Sequence, residues 1–254
     1  MLKIWDPTNF RRTLGGLCLI LAPIFFAIAE ITYPASDGNG AAQLDVAARN
    51  HDVMLADIYF GIASAILFMP AVYVLLHVLR RRGVVLGHIA AILTVAGLCL
   101  AHLALGGLQL MLWAMAGPGA DRQAMASFID KTQQNPAALP LVLGHELFAF
   151  GIIVFGIAIW RSGFGYRWAG PAIAIGVVID IVGGTIGVPD PFISILSDGI
   201  FVTGLAAVGL KVLLTSDAEW EALPEKVRAK QQAVAPAFCP NLAGARHVPG
   251  APAI

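Results

Sequence analysis

Charged side chains are scarce in this chain. Asp, Glu, Lys and Arg make up 13% of its 254 residues, about half of the roughly 25% that a soluble domain carries. The net charge is zero, and the basic residues form no stripe that would bind a polyanion. These shortages argue against a soluble domain, and they exclude nucleic acid as a partner on electrostatic grounds.

Cysteine is also rare. The three residues of this type are Cys18, Cys99 and Cys239, and no two of them form a CxxC pair. A disulfide framework or a thiolate metal site needs more cysteines at closer spacing. We therefore expect neither, and we predict no cofactor and no bound metal.

Apolar side chains, by contrast, are abundant. They account for 58% of the chain, and the mean hydropathy is +0.78. Six apolar runs each approach or exceed the roughly 20 residues that cross a bilayer as a helix. These runs are 14–32, 55–78, 84–112, 140–160, 168–188 and 193–214. The third is longer than a bilayer requires, so we expect it to tilt or to extend beyond the lipid.

The runs predict an all-α fold, a polytopic membrane bundle of six transmembrane helices over residues 1–214. Residues 215–254 are predicted to form a cytoplasmic tail. The tail begins with a capping-box pattern, Ser216 followed by Glu219, and its helix should extend to about Gln232. Its last twenty or so residues are mostly Ala, Pro and Gly, which favours disorder.

Basic residues cluster in alternate loops, and this distribution predicts the topology. If the six spans alternate in direction, one side holds Arg11, Arg12, Arg80, Arg81, Arg82, Arg161, Arg167 and Lys211. Loops rich in Lys and Arg stay in the cytoplasm. Both termini are therefore expected there, in a plasma (inner) membrane. A rival interpretation takes Arg11-Arg12, the apolar run and Ala27-Ile28-Ala29 as a cleaved secretory signal.

The two longer outer loops each contain one predicted helix. Residues 41–50 have an amphipathic pattern. In the second loop, residues 121–134 are predicted to form a helix capped by Asp121, with a narrow apolar stripe. Such a helix could lie on the membrane surface, cover the mouth of a cavity, or simply connect two spans.

The stretch 176–199 is apolar enough for lipid and yet contains three aspartates. Val188-Pro189-Asp190-Pro191 predicts a sharp corner between two helices. Asp180 precedes Pro189 by nine residues, and Asp198 follows it by nine. Each carboxylate in lipid costs about 2.5–3.5 kcal/mol on insertion scales. If both side chains face the bundle interior, their mutual repulsion predicts that the pair shares a proton.

Other polar residues are predicted at a similar depth. With the topology above, the outer half or the midplane holds Glu30, Asp57, His102, Gln109, His145, Glu146, Asp180 and Asp198. Intramembrane ionisable groups usually face the bundle interior or a water-filled cavity. We therefore predict one outward-opening cavity. The alternative is a buried polar network that only fixes how the helices pack.

Each of these residues receives a predicted role. The candidates for acid-base catalysis are Glu30, Asp180, Asp198, His145 and Glu146. The candidates for substrate binding are Asp57, Tyr59, His102 and Gln109.

Two resemblances bear on function. Glu30-Ile31-Thr32-Tyr33-Pro34, with an acid on the last span at Asp198, resembles the membrane-bound terpene cyclases of meroterpenoid pathways. That resemblance implies that Glu30 and Asp198 are essential acids, although those cyclases have seven spans and this chain has six. Residues 10–214 more closely resemble uncharacterised six-span bacterial membrane proteins, many with Glu ahead of Tyr-Pro in the first span. This second resemblance implies no activity.

Three functions remain open on the sequence. The favoured one is an enzyme, a cyclase or isomerase doing acid-base chemistry on a lipid or isoprenoid in the bilayer. The second is a proton-coupled transporter or sensor, for which a chain of this size is expected to form a homo-oligomer. The third is a b-type cytochrome, because His88 and His102 are fourteen positions apart, with His77 and His145 as partners. A zinc site from His102, His145 and an acid is a variant of the third.

The predicted topology has a direct test. In a background with its native cysteines replaced, Ser127→Cys and Ser216→Cys should react with an impermeant thiol reagent from opposite sides of the membrane. Ser127 lies in the second outer loop, and Ser216 follows the last span. Labelling of both positions from the same side would contradict the alternating arrangement.

Overall fold

A computed structural model describes residues 6–33, 38–186 and 192–222, and all the regular structure in these ranges is helical. The helices that form the bundle are α1 Pro7–Thr32, α3 His51–Leu79, α4 Val84–Gly97, α5 Ala104–Met115, α7 Leu139–Ser162, α8 Ala169–Thr185 and α9 Phe192–Leu214. The helices that lie at its ends are α2 Gly40–Arg49, α6 Arg122–Gln133 and α10 Asp217–Glu221. The compact unit ends at Trp220, and of the residues after it only Glu221 and Ala222 are described.

Five of these segments are long and apolar enough to cross a membrane: α1, α3, the continuous stretch Val84–Met115, residues Leu143–Ser162 of α7, and α9. The all-helical fold predicted from the sequence is therefore confirmed, and these five segments are compatible with the predicted multi-pass membrane protein. α8 is apolar but has 17 residues, about 26 Å of helix, against a hydrocarbon core of about 30 Å. The predicted corner at Val188–Pro191 lies outside the described residues, and the six-span count stays a prediction.

Six of the bundle helices pack in a ring in which each contacts the next. The order around the ring is α1, α3, α4, α7, α8 and α9, and α9 returns to α1. Four phenylalanines from four of these helices meet inside it: Phe26, Phe68, Phe148 and Phe201. The ring centroids of Phe26 and Phe148 are 5.7 Å apart, and those of Phe68 and Phe148 are 5.4 Å apart in an edge-on arrangement.

Glycines allow the helices to approach closely, as expected where apolar packing and small residues hold membrane helices together. A Cβ atom placed on Gly97 of α4 would lie 2.3 Å from the backbone nitrogen of Phe148 on α7. One placed on Gly151 of α7 would lie 2.4 Å from the hydroxyl of Thr94. A side chain at either position would push α4 and α7 apart.

The third predicted span is not one regular α-helix. A π-helical segment, Leu98–Leu103, separates α4 from α5. The expectation of a single long helix from 84 to 112 is corrected here, because the π segment widens the backbone spiral at mid-span. Such segments are rare and often occur at functional sites. His102 lies within it, but the position of its side chain is outside what the structure describes.

The two outer helices form as predicted and pack against each other. Asp121 accepts hydrogen bonds from the backbone of Gln123 and Ala124, which caps α6. Arg122 of α6 forms an exposed ion pair with Asp45 of α2 at 2.7 Å. The pair rests on the outer ends of α3 and α5 through a small apolar cluster whose buried members are Leu44, Ala47, Met54, Ile58 and Ala116.

At the end of the bundle where α1 begins and α9 ends, which the sequence predicts to be the inner end, Arg12 joins these two helices. Its Nε donates to Asp217 at 2.9 Å, and its Nη1 donates to the carbonyl oxygens of Leu213 at 2.7 Å and Thr215 at 2.5 Å. The last carbonyl groups of a helix lack intrahelical partners and carry partial negative charge. The Arg12 side chain on α1 therefore supplies hydrogen-bond donors to the carbonyl groups at the end of α9 and just beyond it.

The short helix α10 is held against the same inner end. Its predicted cap is confirmed, since Ser216 Oγ accepts from the Glu219 backbone at 3.2 Å. Trp220 is buried and stacks on His77, with ring centroids 3.9 Å apart. His77 Nε2 lies 3.0 Å from the Trp220 carbonyl oxygen, to which Arg80 also donates. The predicted extension of this helix to Gln232 lies outside the described residues.

Arg12 and its exposed neighbour Arg11 form a matched pair for testing this contact. Arg12→Gln removes the ion pair and the bonds to the α9 carbonyls, so we expect the free energy of unfolding to fall by about 1–3 kcal/mol. Arg11→Gln removes the same charge from the same turn of α1 and should have little effect. Thermal unfolding in detergent measures both variants, and equal losses would show that the Arg12 contacts contribute nothing specific.

Candidate functional site

A small pocket lies among α1, α7, α8 and α9. Its volume is about 30 Å³, which is room for one or two water molecules. Its polar lining consists of His145, Asp180, Ser197 and Asp198, and its aromatic lining of Phe26, Phe148 and Phe201. The pocket therefore combines two carboxylates, an imidazole and a hydroxyl with three phenyl rings.

The lining residues share one depth because the four helices alternate in direction. His145 and Asp198 lie six residues after the starts of α7 and α9, and Phe26 lies six before the end of α1. Asp180 lies five residues before the end of α8. At 1.5 Å per residue, all four are about 8–9 Å below the same end of the bundle.

Asp198 is the more enclosed of the two carboxylic acids that line the pocket. The residue is 8% exposed, and its Oδ2 atom is buried without a hydrogen-bond partner. Buried carboxylate oxygens in proteins are normally paired, because desolvating them otherwise costs several kcal/mol. An orphaned oxygen that faces a cavity is therefore a place where a proton, a water molecule or an ion would be stabilised.

Asp180 supplies the second carboxylate. It is half-buried and lies close enough to Asp198 for the two groups to interact electrostatically. Ser197 Oγ is 3.5 Å from Asp180 Oδ1 and 3.2 Å from the Ser194 carbonyl oxygen, so its one proton is shared between two acceptors. The Ser197 hydroxyl thus gives Asp180 one long hydrogen bond, which it shares with a backbone carbonyl of α9.

The pocket has a polar wall at the surface and an aromatic floor. His145 is exposed, so this wall reaches the protein surface. Phe148 follows His145 by three residues and Phe201 follows Asp198 by three, which places both rings one turn deeper. Phe26 joins them, with ring centroids 5.7 Å from Phe148 and 6.1 Å from Phe201.

Gly176 determines how closely α8 approaches α9 beneath the acids. A Cβ atom at this position would lie 2.8 Å from both the Ser197 carbonyl oxygen and the Phe201 nitrogen. Asp180 is one turn above Gly176 on the same face of α8. The close backbone contact at Gly176 therefore brings the Asp180 carboxylate beside Ser197 and Asp198.

A second acidic group lies on α1 and α3, outside the pocket. Asp57 is 4% exposed, and its Oδ2 atom is buried without a hydrogen-bond partner. Asp57 and the exposed Glu30 both act electrostatically on the hydroxyl of Tyr33. The acids predicted from the sequence thus divide into two groups on different helices.

The remaining predicted residues do not join either group. Glu146 is exposed, and so is Tyr59 at 65%. Gln109 is half-buried on α5, and the side chain of His102 lies outside the described part. Of the nine predicted site residues, the pocket brings together Asp180, Asp198 and His145.

Helical geometry explains part of this separation. Adjacent residues of an α-helix point about 100° apart, and on α7 this rotation leaves Glu146 exposed and outside the pocket lining to which His145 belongs. Asp57 and Tyr59 differ by about 200°, which places them on opposite faces of α3. Equal depth was therefore a necessary condition for convergence, but it was not a sufficient one.

The inner histidines have separate surroundings. His77 stacks on Trp220, and exposed His88 bonds through Nδ1 to the Val84 carbonyl oxygen at 2.8 Å. Within the described residues, no group of three or more His, Cys, Asp or Glu side chains is arranged to hold a metal ion. Of the described cysteines, Cys18 is buried and Cys99 is exposed, and neither is in a disulfide.

Comparison with known proteins provides no precedent for the pocket. No protein family, no curated protein and no solved structure matches this chain.

Two glycines of α8 offer a matched test of the packing that forms the pocket. Gly176→Ala inserts a methyl group against the α9 backbone, and overpacking of this kind typically costs about 1–3 kcal/mol. Gly184 faces open space, so Gly184→Ala should be neutral or slightly stabilising through helix propensity. Thermal unfolding in detergent should separate the two variants, and a stable Gly176→Ala protein would contradict the close contact.

Proposed function

We propose that this chain is a six-span membrane protein, with α8 as the sixth span, whose activity is coupled to a proton bound by Asp180 and Asp198. A proton-coupled transporter or sensor is the function that the pocket supports best. The observation that carries the proposal is the orphaned, buried oxygen of Asp198 beside a second carboxylate, in a space that holds only one or two water molecules. We place the protein in the plasma membrane with both termini in the cytoplasm.

Electrostatics favours a shared proton at this pair. Two carboxylates in a poorly solvated pocket repel each other, and one bound proton removes most of that repulsion while occupying no extra volume. Such pairs titrate as a unit, so the proton belongs to the pair and to neither residue alone.

His145 gives the pair an exchange route. Its imidazole lines the pocket and also reaches the surface. An imidazole ring has two nitrogens that can donate or accept a hydrogen bond, which suits His145 to pass a proton between the surface and the two acids. On the other side, the phenyl rings separate the acids from the inner half of the bundle.

Coupling would act through the contact between α8 and α9. When the pair loses its proton, two negative charges on neighbouring helices repel, and when it is protonated they do not. The state of the pair therefore biases how tightly α8 packs on α9. In a transporter, looser packing of α8 on α9 would separate the phenyl rings of the aromatic floor. In a sensor, the same loosening would shift the C-terminal end of α9.

An enzyme acting on a lipid or isoprenoid is the second candidate, and the aromatic lining favours it. A carboxylic acid that donates a proton beside three phenyl rings could start and stabilise a carbocation, because the faces of aromatic rings attract cations. The pocket would have to enlarge well beyond 30 Å³ to admit such a substrate. Conversion of an added isoprenoid by the wild type but not by Asp198→Asn would favour this function over the first.

Infrared difference spectroscopy tests the shared proton directly. At neutral pH, where exposed carboxylates are ionised, the wild type should show the carbonyl stretch of one protonated carboxylic acid, and this stretch should disappear at alkaline pH. Asp180→Asn and Asp198→Asn should each remove this signal while leaving a monodisperse protein in detergent. Glu146→Gln changes an exposed acid at the same depth and should leave the signal unchanged.

A signal that persists in both Asn variants would show that the pair does not bind the proton. In that case the acids around Asp57 would be the next candidates.

A further inference from the structure

We propose that the pocket also binds one dehydrated monovalent cation, with Na⁺ as the ion to test, in exchange for one proton of the Asp180–Asp198 pair. This inference rests on the proposed function, because it assigns a second ligand to the same two carboxylates. It concerns Asp198 Oδ2, which is buried and has no hydrogen-bond partner on the protein. The proposed shared proton does not by itself provide one.

The donor atoms suit a hard cation. The polar atoms of the α8–α9 side of the pocket are the carboxylate oxygens of Asp180 and Asp198 and the hydroxyl oxygen of Ser197. Oxygen ligands of this kind favour alkali and alkaline-earth ions over transition metals. Because Ser197 Oγ shares its proton between two acceptors, its lone pairs are available to a cation.

The volume selects against a hydrated ion. About 30 Å³ accommodates an ion or a water molecule, but not an ion with its hydration shell. Mg²⁺ gives up its waters reluctantly, and Ca²⁺ takes six to eight oxygen ligands. Three side chains with room for about one added water therefore fit a monovalent ion better than either divalent ion.

Charge balance sets the stoichiometry. The titratable groups that line the pocket are Asp180 on α8, Asp198 on α9 and His145 on α7, while α1 contributes Phe26. The two carboxylates with one shared proton have a net charge of −1, and the same carboxylates with one monovalent cation in place of that proton also have a net charge of −1. Interconversion of these two states moves one Na⁺ in and one H⁺ out, with no net change of charge in the pocket. The exchange therefore adds no buried charge, which would be costly.

Proton release on addition of salt tests the exchange. The full-length chain is purified in detergent in weakly buffered choline chloride, and NaCl replaces choline chloride at constant ionic strength. A pH-indicator dye should report release of up to one proton per chain, saturating with Na⁺. Choline itself is the control for ionic strength, because it cannot enter the pocket.

Three variants distinguish this site from exposed carboxylates. Asp198→Asn should abolish the release, and Glu146→Gln should leave it unchanged. Ser197→Ala removes one oxygen ligand and should weaken the apparent affinity for Na⁺ about tenfold, the equivalent of one charge-assisted contact. The infrared signal of the protonated pair should remain in Ser197→Ala, which also shows that this variant is folded.

The outcomes separate the inference from the proposed function. A wild type that shows the infrared signal but releases no proton with Na⁺ would overturn the cation site and leave the proton site intact. Release that persists in Asp198→Asn would place the exchange elsewhere and also overturn the inference. Absence of the infrared signal from the wild type would refute the proposed function itself.

Discussion

The backbone contact between α8 and α9 at Gly176 is the interaction on which the pocket depends. Helices in lipid gain little from burying apolar surface against each other, so close approach through small residues largely decides which helices touch. With a side chain at Gly176, α8 would lie farther from the Ser197 carbonyl and the Phe201 nitrogen. The two aspartates would then lie farther apart, and the pocket that both of them line would be lost.

Near that contact the side chains inside the bundle change from polar to aromatic within one helical turn. The pocket layer contains the acids, the serine and the imidazole, and the next layer is built from phenylalanine. The outer helices α2 and α6 cover the other side of the bundle, over α3 and α5, where their apolar faces meet. The polar pocket and the pair of helices α2 and α6 thus lie in different parts of the same end of the bundle. The packing of α6 therefore does not support a role as a lid over the acids.

Much of the fold could be predicted from the sequence because its signals are local. Apolar runs of the right length predicted the long helices, and Asp121 and Ser216 marked helix starts that the structure confirms. The pairing of Asp180 with Asp198 followed from their equal spacing about Pro189. The π segment at Leu98–Leu103 carries no such local signal, since its sequence is as apolar and as compatible with an α-helix as its flanks.

The candidate site was harder to predict because it depends on helix rotation as well as depth. Depth follows from counting residues, and it correctly placed His145, Asp180 and Asp198 in one layer. Rotation depends on which face each helix presents to its neighbours, and the hydrophobic pattern of a nearly uniform apolar helix does not specify that face. Ser197 and the three phenylalanines were missed for the same reason, since nothing in their local sequence distinguishes them from lipid-facing residues.

The contact of Arg12 with the end of α9 has a consequence for biogenesis. It joins the first long helix to the last, so the ring of helices closes only after the final span has been synthesised. Until then the Arg12 guanidinium lacks the carbonyl oxygens of residues 213 and 215 that it binds in the finished protein. Until α9 has been synthesised, the helices already made cannot close the ring, and the face of α1 that contacts α9 in the finished protein stays uncovered.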